Sequence, residues 1–274
     1  MRSSAALGLV RACHPDACAA VTVMAAALAA STGRSPAGVV AVGAAVLAGQ
    51  LSVGWHNDWW DAERDRQAGR ADKPIAVGLV GRAEVGRAAV VAAVATVPLS
   101  FLSGWRAAVA HLVAVALAWS YNLRLKGTAL SFVPYAASFP LLVAFVSLGR
   151  AGHPWPPWWA LVTAALLGCG AHLVNAAPDL ADDLAAGITG LPQRLGRRRS
   201  VLGAVGLLLA GTVVVAVGPG DPGWWALGAV AVAAAVVTGG SWLGRRPGAR
   251  WSFRAALIVA LVDVAALVAR GNAI

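Results

Sequence analysis

The sequence predicts an all-α, polytopic membrane bundle of about nine transmembrane helices, forming one domain over residues 1–274. Three observations carry this. Apolar residues make up 59% of the chain and charged residues only 12%, about half the charged share of a soluble protein. Runs rich in Ala, Val, Leu and Gly recur at the length of roughly 20 residues that a helix needs to cross a bilayer. The basic residues also sort to one side when successive runs are alternated across a membrane.

The expected spans cover about 17–32, 37–56, 84–103, 106–121, 129–149, 158–176, 200–218, 224–243 and 252–270. The first is a continuous apolar run after Ala17, read as a span rather than a cleavable signal because no basic n-region with a small-residue cleavage site precedes it. Ser31 to Pro36 breaks it from the second, which ends on a cluster of acids. The third and fourth are separated by a short Gly- and Arg-bearing link, and a loop carrying Tyr121 to Lys126 leads to the fifth. Arg150 to Pro157 precedes the sixth, which opens on Trp158-Trp159 and ends on a second cluster of acids. Arg197-Arg198-Arg199 opens the seventh, Gly218 to Gly223 closes it, and Trp224-Trp225 opens the eighth. Hydrocarbon offers backbone groups no water, so such continuous runs can span only as helices, and their small residues allow close packing.

Alternating nine spans leaves only Arg34, Arg106, Arg150 and Arg270 on one side, so 18 of the 22 Lys and Arg residues fall on the other. By the positive-inside rule the rich side is cytoplasmic, with the N-terminus inside. The two Trp doublets then lie at the opposite face, where interfacial anchors belong. The net charge of +10 is therefore topology signal, with anionic lipid as a secondary partner for Arg197 to Arg199, and gives no nucleic-acid footprint. Cys13, Cys18 and Cys169 have no metal-ligand spacing and read as small buried hydrophobes.

Acids are scarce, so their positions are informative. Of twelve, five lie between Asp58 and Asp72 and three between Asp179 and Asp183. Asn57, Asp58, Asp61 and Asp65 recur at helical spacing and can face one direction at the end of the second span. Asp179 with Asp182 and Asp183 ends the sixth. Four spans separate the clusters, so both lie on the same, cytoplasmic side. Two carboxylates about 6 Å apart repel by roughly 3 kcal/mol at an effective dielectric of about 20. A shared site therefore needs counter-charge, and hard oxygen ligands of this kind suit Mg²⁺ bridging to substrate phosphates. Arg64, Arg70, Lys73, Arg124, Lys126 and Arg194 follow the acids closely and could hold the remaining phosphate oxygens.

Asn57 to Asp65 resembles the N-D-x-x-D-x-x-x-D signature of the UbiA superfamily of intramembrane prenyltransferases, and Asp179 and Asp183 match its second D-x-x-x-D motif. Arg70 to Ile75 resembles the R-x-x-R-P stretch after the first motif, with Lys73 where Arg is common. Tyr121 to Lys126 resembles the loop between the motifs. The resemblance covers nearly the whole chain and implies nine helices around a central cavity, with Mg²⁺-dependent diphosphate binding above it. It further implies prenyl transfer to an aromatic or lipid acceptor through an allylic carbocation. By matching position, Asn57, Asp61, Asp179 and Asp183 are the expected metal ligands. Asp58, Asp61, Asp65, Asp179 and Asp183 are the expected catalytic carboxylates, and Arg70, Lys73, Tyr121, Lys126 and Arg194 the expected substrate contacts. The site would open to the cytoplasmic face of the cell membrane.

Other residues read differently. His172 shares a helical face with Asn175 and Asp179 and could line the pocket, although a packed or hydrogen-bonded histidine is the first reading. His56 and His111 read as packed. Asp263, well inside the ninth span, is costly to ionise there and is expected to be protonated or bonded across the bundle, or to touch the acceptor. A terpene cyclase would use the same diphosphate machinery without a second substrate. A transporter would place ionisable groups near mid-membrane in several spans, and a non-catalytic isoprenoid binder would not need both acidic motifs.

Overall fold

The computed structural model describes residues 2–221, 228–236 and 251–274, and these are helical with no strand among them. The helices are α1 (Arg2–Ala12), α2 (Pro15–Ser31), α3 (Pro36–Gln67), α4 (Arg82–Phe101), α5 (Trp105–Leu123) and α6 (Val133–Leu148). They continue as α7 (Trp158–Ala176), α8 (Leu180–Ala185), α9 (Leu191–Val217), α10 (helical over 228–236) and α11 (Trp251–Ala269). Consecutive long helices from α2 to α9 pack side by side, α9 packs on α11, and α11 returns to α2. The result is a closed ring.

Each expected span within the described residues falls on a helix. Four of them (α3, α4, α7 and α9) are long and apolar enough to cross a membrane, or five if the bent pair α1–α2 counts as one crossing. The count of nine therefore stays an expectation from the sequence. Most of the span expected over 224–243, with Trp224-Trp225, lies outside the described residues, as does most of the Arg245 to Arg254 loop. The outer surface is apolar: Val40, Val91, Val94, Leu102 and Leu261 are all exposed on it. Such a surface is stable against lipid and not against water, and the protein is an integral membrane protein.

Two features of the helices position the site. α3 has 32 residues, about 48 Å at 1.5 Å per residue, whereas the hydrocarbon core is about 30 Å thick. It starts cleanly, with Pro36 in its first turn and the Ser35 hydroxyl accepting from the Gly38 N–H at 3.2 Å. Its surplus length is therefore at the other end, where Asn57 to Gln67 stands beyond the apolar stretch. α9 prolongs the expected seventh span at its start. A short helical stretch from Leu191 precedes a bend at Gly196, whose φ of 75° only glycine adopts without strain. The spanning part starts just after that bend, at the Arg197 to Arg199 run.

The packed core lies away from the acids. Ala25, Leu28, Val46, Ala107, Phe145, Val146 and Ala160 form one cluster toward the C-terminal ends of α2 and α6 and the N-terminal ends of α3, α5 and α7. At the opposite end the chain adds a helix that the hydropathy pattern does not reveal. α1 meets α2 at a bend of 57°, made by His14 in a left-handed conformation with φ 57° and by Pro15 opening α2. This elbow sits directly on α3 at Gly54, where a Cβ would overlap the Cys13 carbonyl oxygen. The three cysteines form no disulfide; Cys13 and Cys18 are buried and Cys169 half-buried.

Candidate active site

The ring encloses a cavity of about 700 Å³ whose mouth lies at the surplus end of α3. Asn57, Asp61 and Asp65 line it from α3, Arg70, Asp72 and Lys73 from the α3–α4 loop, and Lys126 from the short helical turn after α5. Asp179, Asp182 and Asp183 line it from the far wall. The two acidic clusters, more than a hundred residues apart in sequence, thus share one mouth. They do not both end a long helix. α7 stops at Ala176, and Pro178, which has no N–H to continue it, is followed by the separate six-residue α8.

The acids are paired with bases from other segments. Lys126 Nζ donates to Asp61 Oδ2 at 2.8 Å, while the Arg64 guanidinium contacts the other Asp61 oxygen. That second oxygen is buried and lacks a hydrogen bond of good geometry. Arg70 forks onto Asp72 with two bonds of 2.9 Å and reaches Asp179 at 3.6 Å, so one guanidinium ties the α3–α4 loop to the second cluster. The Arg70 fork holds the Asp72 carboxyl down at about 2, and the same pair raises Arg70 above its ordinary value. Asp183 accepts from Gln193 Nε2 at 2.8 Å. Burial raises its pKa above the ordinary carboxylate value, against the opposing pull of Lys126.

Two expected site residues stand elsewhere. Asp58 does not line the cavity. It is buried behind the mouth, 2.7 Å from Lys73 Nζ and 3.2 Å from His14 Nε2, where it anchors Lys73 and the α1–α2 elbow. Arg194 is exposed, does not line the cavity, and donates from Nε to the Thr189 carbonyl at 2.8 Å. The remaining expected residues, Asn57, Asp61, Asp65, Arg70, Lys73, Tyr121, Lys126, Asp179 and Asp183, do line the cavity.

Below the charged mouth the wall becomes aromatic. Tyr121 meets Tyr135 edge-on at 5.2 Å, and Tyr135 stacks on His172 at 4.7 Å and on Phe139 at 6.4 Å. His172 is both a lining residue and a bonded one, with Nε2 3.0 Å from Ser131 Oγ. Tyr135 and Phe139 went unread in the sequence, although their i, i+4 spacing puts them on one face of the fifth span. Arg11 and His14 also reach the mouth, from a helix too short and too charged to stand out by hydropathy. Asn57 is held by Asn122, which donates in turn to the Val53 carbonyl. His56 stacks on Trp119 at 4.0 Å and His111 is 2.7 Å from Ser100 Oγ, so both are packed. Asp263 lies off the cavity between α9 and α11 and accepts from Thr212 at 2.5 Å, a bond across the bundle.

Chemically, the mouth offers hard oxygen donors of the kind that hold a divalent cation. Among the described residues no three His, Cys, Asp or Glu side chains converge closely enough to enclose an ion. Mg²⁺ keeps water and substrate phosphate in its shell and takes only one or two protein carboxylates. The half-satisfied Asp61 oxygen is a donor suited to it.

Known proteins place the chain. No curated protein matches its sequence. Solved structures that share its fold across nearly the full length of both chains include the following. A UbiA homologue from Aeropyrum pernix K1 is 19% identical, with TM-score 0.71 over 90% of this chain and 95% of that one. A UbiA homologue from Archaeoglobus fulgidus is 16% identical, with TM-score 0.70 over 95% and 98%. A digeranylgeranylglyceryl phosphate synthase structure is 14% identical, with TM-score 0.69 over 97% and 98%. The model of the UbiA prenyltransferase family matches residues 19–262, and the chain belongs to that family.

Proposed function

We propose that the protein transfers a prenyl group from a prenyl diphosphate to an aromatic or lipid acceptor within the membrane, with Mg²⁺ at the charged mouth. One observation carries this: two acidic clusters and the bases Arg70, Lys73 and Lys126 meet at the rim of a cavity whose inner wall is apolar and aromatic. The homologue from Archaeoglobus fulgidus has been solved bound to DMAPP and Mg²⁺, and also to GPP and Mg²⁺, which supports the same ligand class here. Asn57, Asp61, Asp179 and Asp183 would hold the metal, with Asp65 beside them. When bound, Mg²⁺ supplies charge neutralisation at the departing diphosphate.

The chain's own residues do the rest. Lys126, Lys73 and Arg70 bind the diphosphate oxygens and stabilise the negative charge that grows on them as the allylic C–O bond breaks. Asp58 aims Lys73. Tyr121, Tyr135, Phe139 and His172 surround the reacting carbon below the mouth, where their rings exclude water and their faces favour a cation. The acceptor then attacks that carbon and loses a proton. Among the described residues the carboxylates gather mainly at one mouth, with Asp263 the one carboxylate well inside a span, which disfavours the transporter reading.

Product analysis tests the reaction. Membranes containing the protein, given Mg²⁺, a series of prenyl diphosphates and candidate aromatic and lipid acceptors, should form a prenylated acceptor and release diphosphate. Cyclised hydrocarbon without acceptor consumption would show a cyclase instead. The mouth should face the cytoplasm of the cell membrane, an orientation supported by the 18 of 22 basic residues that nine alternating spans put on that side. Single cysteines placed near Asp61 and Asp183 should label only from the cytoplasmic side, and labelling from opposite sides would break the shared site.

A further inference from the structure

The cavity has a floor as well as a mouth. α3 lines it from Asp61 down to Gln50, and α5 from Asn122 down to His111. Each stretch climbs by eleven residue steps, a depth of about 16 Å at 1.5 Å per residue. α6 lines it as far as Leu142 and no deeper. Beneath lies packed core, in which Val46, Ala107 and Phe145 are fully buried. His111 is fixed in the floor, stacked on Phe145 at 4.5 Å and bonded to Ser100 at 2.7 Å.

Depth and not volume sets the length of a linear guest, because an acceptor must share the 700 Å³. An extended isoprenoid chain advances about 5 Å per five-carbon unit, which is four C–C bonds of about 1.5 Å shortened by their bond angles. We infer that the cavity takes a prenyl diphosphate of three isoprene units, with Gln50, His111 and Leu142 setting the limit. This rests on the prenyl diphosphate reading above and adds the chain length to it. A fourth unit would have to fold back on the others or displace packed core, and interiors at crystal-like density resist that. Ala114 stands on the wall one helical turn above His111, a rise of about one isoprene unit. A large side chain there would raise the floor by one unit, and removing the Leu142 side chain would lower it.

The test is equilibrium binding of the C5, C10, C15 and C20 prenyl diphosphates to the full chain in detergent with Mg²⁺ and no acceptor. For the unaltered protein, affinity should rise about tenfold per unit, at roughly 0.3 kcal/mol for each added carbon, up to C15 and then level or fall at C20. Ala114→Phe should move the optimum to C10, and Leu142→Ala should move it to C20. Opposite shifts cannot come from a general loss of stability, so the pair controls for misfolding. Affinity still climbing tenfold at C20, or an optimum unmoved in both variants, overturns the length assignment alone. Failure of every member to bind overturns the prenyl diphosphate reading and the length with it.

Discussion

Asp61→Asn should abolish prenyl transfer, lowering turnover by about a thousandfold or more, the scale expected when a group that organises transition-state charge is removed. Asp61 is the junction of the mouth: it is almost fully buried, takes Lys126 on one oxygen and touches Arg64 with the other. The amide keeps the shape and loses the charge, so the bundle should still purify folded and the loss should appear in turnover. Asp183→Asn should behave alike, because an amide can keep the Gln193 contact while losing the negative charge offered to the metal. Excess chelator should silence the unaltered protein, and Mg²⁺ or Mn²⁺ should restore it. Since burial raises the Asp183 pKa, this carboxylate takes up its proton at a higher pH than an ordinary one. Protons should therefore compete with Mg²⁺ at this position, so metal binding should weaken on acidification sooner than at an ordinary carboxylate. Full turnover in both variants, or in excess chelator, would refute a metal-bridged diphosphate.

Neutralising Lys126 or Lys73 should weaken prenyl diphosphate binding, or slow its ionisation, by roughly ten- to a hundredfold. That is the equivalent of about 1.5–3 kcal/mol for one charge-assisted contact. Both ammonium groups stand at the cavity mouth, each within 2.8 Å of a buried carboxylate that aims it. Arg198 is exposed on α9 and does not line the cavity, so its neutralisation should change binding little. Titration and turnover for Lys73→Gln, Lys126→Gln and Arg198→Gln separate the cases. Equal small losses in all three would mean that the mouth supplies only a diffuse positive field. Equal losses of stability would make the lysines structural.

Hydropathy alone made most of the fold legible, because a chain of alternating apolar runs and charged breaks has few ways to satisfy its backbone in lipid. The acidic clusters were legible because acids are scarce here. What failed to show was whatever depends on a neighbour. On a helix, Asp58 and Asp65 both lie within about 60° of Asp61, so spacing cannot say which of them faces the cavity. The elbow at His14 and the loop at Lys73 decide it, by covering Asp58. That elbow is itself invisible in sequence, since α1 is short, carries Arg2 and Arg11, and is held by distant contacts: Trp55 donating to the Leu9 carbonyl, Cys13 against Gly54 and His14 at Asp58. Arg194 was misplaced for the same reason: proximity in sequence to the second cluster says nothing of direction, and its guanidinium turns to the Thr189 carbonyl.

The pairing of acids with distant bases has a consequence for biogenesis. Asp61 and its partner Lys126 are separated by 65 residues, so the carboxylate emerges from synthesis long before the ammonium group that neutralises it. Until then the end of α3 carries Asp58, Asp61 and Asp65, and a cluster of anions is held in water by its own hydration. It therefore pins that end of α3 to the aqueous face while α4 and α5 are being made. Only when α5 has come back to the same side beside α3 can Lys126 reach Asp61. A chain that stalls earlier has Arg64 beside Asp61 and Lys73 beside Asp58 but leaves Asp61 without its second partner, whereas a completed bundle supplies Lys126. The Asp61–Lys126 pair thus forms only in a copy whose α3 and α5 have come together.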